Sequence, residues 1–185
     1  MIYLLRHSID DNTRKGGWSS APLTPEGIHL AKQTIEKIKD LNINKIVCSD
    51  LIRTKQTCEI INNKLRLPVT YTSELREFNA GIVSGMKYDE AERLYPVPEN
   101  AYKDMNFKYP QGETLGEFKE RIINYYNKVI KHCDNVLFIT HRNVISVIYN
   151  YLKNTQWNFL DNKTIKIPHC SLFEIDNKLG EIIQK

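Results

Sequence analysis

Two histidines in this chain close apolar runs, and arginines stand close by. Arg6-His7 ends the run IYLL, His141 ends VLFIT, and Arg53 follows a third run, KIVC, in the stretch SDLIRT. An imidazole can attack an electrophilic centre with a free ring nitrogen or donate a hydrogen bond to a charged oxygen. A guanidinium grips phosphate oxygens with a planar fork of donors. Together these groups meet most of what phosphoryl transfer requires: a nucleophile, neutralisation of charge, and a proton donor for the leaving oxygen. The donor would be a carboxylic acid, and Glu74, Glu77, Glu90, Glu92 and Glu113 compete for that place. Taken singly, a histidine at a strand end is most often structural and a helical arginine most often solvated. Their convergence is what points to an anion-handling site.

The elements that must position these groups are readable from pattern. IYLL is a short run of the kind found in strands buried on both faces. The loop DDNTRKGGWSSAP follows, then a helix capped by Thr24, with Pro25 in its first turn and Ile28, Ala31, Ile35 and Ile38 on its apolar face. KIVC predicts a second strand. Ser49-Asp50 then caps a helix whose apolar face is Leu51, Thr54, Cys58, Ile61 and Leu65. VTYT is a short strand, and ELREFNAGIVSGM reads as a loop with two glycines. Residues 87–111, with several prolines and one helical piece at Glu90–Leu94, form a lid or accessory excursion. Thr114 and Glu117 make a capping box for a helix facing inward with Leu115, Phe118, Ile122, Tyr125 and Val129. VLFIT is a strand, Arg142–Leu152 a helix that aims its first amides at an anion, and SLFEI a last strand at a sheet edge.

Strands alternating with helices predict an α/β fold: three layers, a mostly parallel central sheet with helices on both faces, in a single domain over residues 1–185. In that architecture functional groups collect beyond the carboxyl ends of the strands, where His7 and His141 both fall. A composition with 41% hydrophobic and 26% charged residues is that of a soluble globular protein. The net charge of +4 is dispersed, which favours small anions and argues against nucleic acid as a partner. No stretch is long enough to span a membrane and no signal peptide is evident, so the expected location is cytoplasmic. Cys48 and Cys58 fall in apolar patterns and read as buried reduced thiols. His29, His132 and His169 lack strand-end placement and read as surface or core residues, and Trp18 as an aromatic packing residue.

Arg6-His7, PLTPEG, SDLIRTKQT, ELREFNAGIVSG, QGETLGEFKERI and THRNVISVI, in that order, resemble the histidine phosphatase superfamily, the phosphoglycerate mutase-like proteins. The resemblance implies that His7 becomes a phosphohistidine and Glu77 serves as general acid and base, with Arg6, Arg53 and His141 holding the phosphoryl oxygens. It places Asn12 or Thr13, Gly17 and Arg142 around the substrate, and implies neither metal nor cofactor. It makes the chain a metal-independent phosphomonoesterase acting on small phosphorylated metabolites. A mutase is the alternative within the fold; this chain's one excursion makes it shorter than family mutases. A non-catalytic phospho-ligand module is the alternative outside catalysis, since binding needs the cations but not the acid. The motifs specify no oligomeric state. Four positions depart from the family pattern: Ser8 in place of glycine, Arg142-Asn143 in place of two glycines, Ser20 before PLT, and GIVSG without its usual Trp-Glu pair. Ser8 adds a side chain beside the nucleophile, and Arg142 an extra cation or gate at the pocket mouth.

Overall fold

The computed structural model describes residues 1–159, 165–176 and 181–185. The first strand, β1 (Ile2–Arg6), sits inside a six-stranded sheet. It pairs in parallel with β4 (Val136–Thr140) and antiparallel with β5 (Leu172–Asp176). Beyond β4 lie β2 (Lys45–Ser49) and then β3 (Val69–Thr72), both parallel. Beyond β5 lies β6 (Glu181–Gln184), antiparallel. Side chains alternate across each strand and split the core in two. Ile2 and Leu4 join Val47, Phe138, Phe118, Ile122 and Ile145 on one face. Tyr3 and Leu5 join Ile46, Cys48, Ile139, Ile38 and Ile61 on the other. Helices α1 (Pro25–Ile38) and α2 (Ile52–Leu65) therefore cover one face. Helix α3 (Tyr88–Leu94) lies in the 87–111 excursion, and α4 (Leu115–Ile130) with α5 (Arg142–Leu152) covers the other face. The three-layer α/β architecture is as expected. Among the described residues no helix is long and apolar enough to cross a membrane.

The sheet is mostly parallel, as expected, and only β5 runs against the other strands. Several local expectations are corrected. SLFEI is not at the edge: β5 lies between β1 and β6, and β6 has only partly covered or exposed side chains, so it carries no hydrophobic signal. Ser49 and Asp50 do not cap α2. Leu51 occupies that position without a side-chain cap, while Asp50 is held by Arg76 at 2.6 Å through both carboxylate oxygens. In α1 the inward residue is Gly27 rather than Ile28, which is 38% exposed. In α4 Tyr126 takes the buried place expected for Tyr125, since 3.6 residues per turn carries the stripe forward by one. The 74–86 segment is not all loop: 3-10 turns form at Ser73–Leu75 and Gly81–Val83. The Thr114–Glu117 capping box is present, with bonds of 3.0 and 2.7 Å. Cys48 and Cys58 are buried and free, as expected.

Ser8 turns out to be structural. Its hydroxyl donates to the Gly27 carbonyl at 2.6 Å and its amide donates to Thr57 Oγ1 at 3.0 Å, so the chain leaving β1 is tied to both α1 and α2. The side chain is fully buried and engaged with α1 rather than standing free beside His7. Gly27 permits this contact. A Cβ there would lie 2.1 Å from the Ile9 carbonyl oxygen, so the helix start and the post-strand loop can touch only without a side chain. Gly27→Ala should therefore destabilise the fold by about 2 kcal/mol or more, read as a lowered urea midpoint at unchanged slope.

Candidate active site

Adjacent parallel strands place the two strand-end histidines side by side. Arg6 is in register with Thr140, and the His7 amide continues the ladder to the Thr140 carbonyl at 2.8 Å. The rings of His7 and His141 follow with centroids 5.1 Å apart. Both rings are buried, and His7 lines a cavity of ≈ 390 Å³. His7 Nδ1 lies 2.7 Å from the Ser8 carbonyl oxygen, which can only accept, so Nδ1 carries the proton and Nε2 keeps its lone pair. Burial and then the charges of Arg53 and Arg6 hold the His7 pKa well below the ordinary imidazole value. At neutral pH this ring is therefore a neutral imidazole with a free lone pair on Nε2.

Arg53 comes from the first turn of α2 and is only 2% exposed. Its Nε donates to His7 Nε2 at 3.3 Å and lies 3.5 Å from Asp10 Oδ2. Its Nη2 donates to the Gly17 carbonyl at 2.8 Å, and its Nη1 to Ser19. Gly17 can present that carbonyl because it adopts a left-handed φ of 48°. Arg6 is fixed at the opposite side: Nη1 donates to the Ile167 carbonyl at 2.7 Å and Nη2 to His169 Nε2 at 2.8 Å. Burial pushes Arg6 down to about 10, so it remains a cation. Two buried nitrogens of the site, Arg6 Nε and His141 Nδ1, have no hydrogen-bond partner among the described residues.

Glu77 is the only one of the competing glutamates that lines the cavity. Glu113 is instead paired with Arg121 at 2.7 Å. The carboxylate of Glu77 accepts the amide of Phe78 at 2.8 Å and, at the N-terminus of α5, the amide of Asn143 at 3.2 Å. The backbone around it is pinned from three sides. Arg121 donates to the Glu74 and Arg76 carbonyls, Thr140 to the Leu75 carbonyl, and Trp18 Nε1 to the Glu77 carbonyl at 2.8 Å. Trp18 is therefore a packing residue with a specific task; Arg76, held by Asp50, lies over its ring at 4.5 Å.

Of the residues anticipated from sequence, Arg6, His7, Asn12, Gly17, Arg53, Glu77 and Arg142 line the cavity. Thr13 does not: it is exposed and bonded to Asp11 through its amide and hydroxyl. His141 is fully buried behind the lining, with Nε2 bonded to Ser49 Oγ at 2.9 Å. His169 was expected to be an ordinary surface or core residue and instead belongs to the site. Its ring sits 5.4 Å from that of His7 and it supports Arg6. Burial and then Arg6 and Arg53 push its pKa down to about 4, so it is the neutral acceptor that a guanidinium needs. Asp10 was also missed, and it faces Arg53 and His169. The Gly-rich loop was a fair sign for Asp10, but nothing local marked His169. His7, Asp10 and His169 are close enough together to meet a metal ion. However, guanidiniums already hold the facing nitrogens of both histidines, and they would repel a cation.

The family profile of the histidine phosphatase superfamily (branch 1) matches residues 2–183. The chain is 27% identical over 184 residues to the protein named "probable phosphoglycerate mutase GpmB" of Erwinia tasmaniensis, covering 96% of this chain and 85% of that one. It is 33% identical over 145 residues to the uncharacterised phosphatase PhoE of Bacillus subtilis, covering 76% and 70%. It is 30% identical over 182 residues to human 6-phosphofructo-2-kinase/fructose-2,6-bisphosphatase 4, covering 94% of this chain but only 36% of the human protein. Among solved structures, the alpha-ribazole phosphatase of Shigella flexneri shares the fold at a TM-score of 0.80, with 20% identity over 100% of this chain and 94% of the other.

The three imidazoles of this site are neutral when folded, whereas in the unfolded chain they take up protons near pH 6.5. Stability should be full above about pH 7 and fall as pH drops below about 6.5. The decline continues to about 4 for His169, and lower for the other two. Urea unfolding at stepped pH should show proton uptake on unfolding, and His169→Gln should remove about one proton of it. His169→Ala, which releases Arg6 Nη2, should weaken inhibition by inorganic phosphate about tenfold.

Proposed function

This chain belongs to the histidine phosphatase superfamily and is a phosphatase, and we propose that it hydrolyses small phosphomonoesters without a metal, through a phosphohistidine formed on His7. The observation that carries this reading is the state of His7: Nδ1–H is committed to the Ser8 carbonyl, leaving the Nε2 lone pair beside Arg53 at the cavity wall. A bound phosphoryl group takes over the Arg53 Nε–H that now rests on His7, with Arg6 as the second cation of the lining. His7 Nε2 then attacks phosphorus and the bond to the leaving oxygen breaks. Glu77, entering this step protonated, gives that oxygen its proton. In the second half a water attacks phosphorus, the phosphorus–nitrogen bond breaks with its electron pair returning to His7 Nε2, and Glu77 takes the water's proton. Orthophosphate and the free alcohol leave, and His7 and Glu77 return to their starting states. The guanidiniums and His141 stabilise the charge that builds on the equatorial oxygens, which is the larger part of catalysis in such transfers.

The chain acts as one unit over residues 1–185, with the 87–111 excursion as cover for the leaving group. Arg142 and Asn12 stand at the substrate side of the same cavity. Free thiols at Cys48, Cys58, Cys133 and Cys170 fit a reducing, cytoplasmic setting. A mutase would need the same first step, and the similarity to a protein named phosphoglycerate mutase keeps that reading in play.

The test is hydrolysis of p-nitrophenyl phosphate and a panel of metabolite phosphates in the presence of EDTA. His7→Ala should abolish turnover and the acid-labile phosphoenzyme. Glu77→Gln should lower kcat by about 10²–10⁴-fold with a much smaller change in phosphate binding. Turnover that survives in His7→Ala would overturn the reading, and isomerisation of 3-phosphoglycerate without net phosphate release would favour the mutase.

A further inference from the structure

Besides Arg6, His7 and Arg53, the cavity has an aromatic lining. Phe78, Tyr88, Tyr102, Tyr109 and Phe159 line it, drawn from the segment after Glu77, the 87–111 excursion and the chain after α5. These rings brace one another. Tyr102 stacks on Phe159 with centroids 5.0 Å apart and planes at 11°, and its hydroxyl meets that of Tyr109 at 2.6 Å. Phe78 meets Phe159 edge-on at 5.1 Å.

Lys15 and Arg14, which also line the cavity, both have partners. Lys15 Nζ donates to Tyr109 Oη at 3.1 Å and lies 5.3 and 5.8 Å from the Tyr109 and Tyr88 rings. Its backbone is fixed by bonds to Met86 and Gly85. Arg14 pairs with Asp11 at 3.2 Å and donates to the Gly85 carbonyl. Asp10 and Asp11 add negative charge to the lining. Arg142, at the start of α5, lines the same cavity. A flat ring entering this part of the cavity would meet flat rings.

We propose that the substrate is a phosphomonoester whose alcohol carries an aromatic or heteroaromatic ring, seated against the Tyr88–Tyr102–Phe159 wall. The assignment rests on the phosphatase reading above and adds the leaving-group class to it. The ring gains dispersion and quadrupole contact with tyrosines held in place before binding, and Lys15 with the paired hydroxyls faces its polar edge.

The test compares substrates that share a primary alkoxide leaving group, so that leaving-group basicity cancels. Adenosine 5′-monophosphate is set against ribose 5-phosphate, and 2-phenylethyl phosphate against propyl phosphate. The ring-bearing member should win by about tenfold or more in kcat/KM in at least one pair. Tyr88→Ala and Tyr102→Leu should reduce that ratio severalfold. Tyr88 is 48% exposed, so its truncation keeps the test open if the Tyr102 variant does not fold. Equal or better turnover of the ring-free member in both pairs, or of 3-phosphoglycerate over all four, overturns the substrate class while leaving hydrolysis through His7 intact. So does a ratio that neither variant moves. No hydrolysis of any ester, p-nitrophenyl phosphate included, overturns the phosphatase reading itself.

Discussion

The buried guanidinium of Arg53 is the constraint around which the site is organised. A cation with 2% exposure is tolerable only if its donors are met, and removing a partner from such a group costs about 3–5 kcal/mol. Its partners come from three places: His7 after β1, Asp10 in the following loop, and the carbonyls of Gly17 and Ser19 further on. Satisfying Arg53 therefore folds the 10–19 loop back over the carboxyl ends of the strands and lays the cation against the imidazole. The same charge, together with burial, keeps His7 neutral. One interaction thus joins folding of the loop to the charge state of the His7 imidazole.

A second set of contacts positions Glu77. The 74–77 backbone is gripped from below by Arg121 and Thr140, and from above by the Trp18 indole, itself covered by Arg76. None of these groups needs to touch a substrate. Their effect is to hold the Glu77 carboxylate against the first amides of α5, in the same cavity as His7 and Arg53. Ser8, a departure from the family pattern, serves a similar positional end by tying the strand exit to α1.

Much of this was legible from local pattern. Apolar runs ending in charged or imidazole groups marked β1 and β4. A capping box marked α4, and Arg53 stood one turn beyond a strand. These signals are short-range: a strand end, a cap or a helical stripe is written in consecutive residues. The misses were of another kind. Gly27 replaced Ile28 as the inward residue of α1 because a neighbouring carbonyl, eighteen residues back, occupies the space a side chain would need. Strand β6 lacked any buried face to announce it. Thr13 was one of two loop residues that could have faced the pocket, and it turned instead to Asp11.

By itself, then, the sequence determined the alternation of strands and helices, the delivery of Arg6, His7, Arg53 and His141 to one rim, and the chemistry that such groups can perform. Their types and their places at strand ends suffice for that, because parallel strands must all finish on the same side. Only the tertiary structure decided which nitrogen of His7 is free, which of five glutamates faces it, and that His169 stands beside Arg6. Each of those facts depends on atoms far apart in the chain meeting within about three ångströms. The partner of Arg6 lies 163 residues away. No sequence period encodes such a distance, and it is set by how β5 docks antiparallel on β1 and carries the loop before it over the end of that strand.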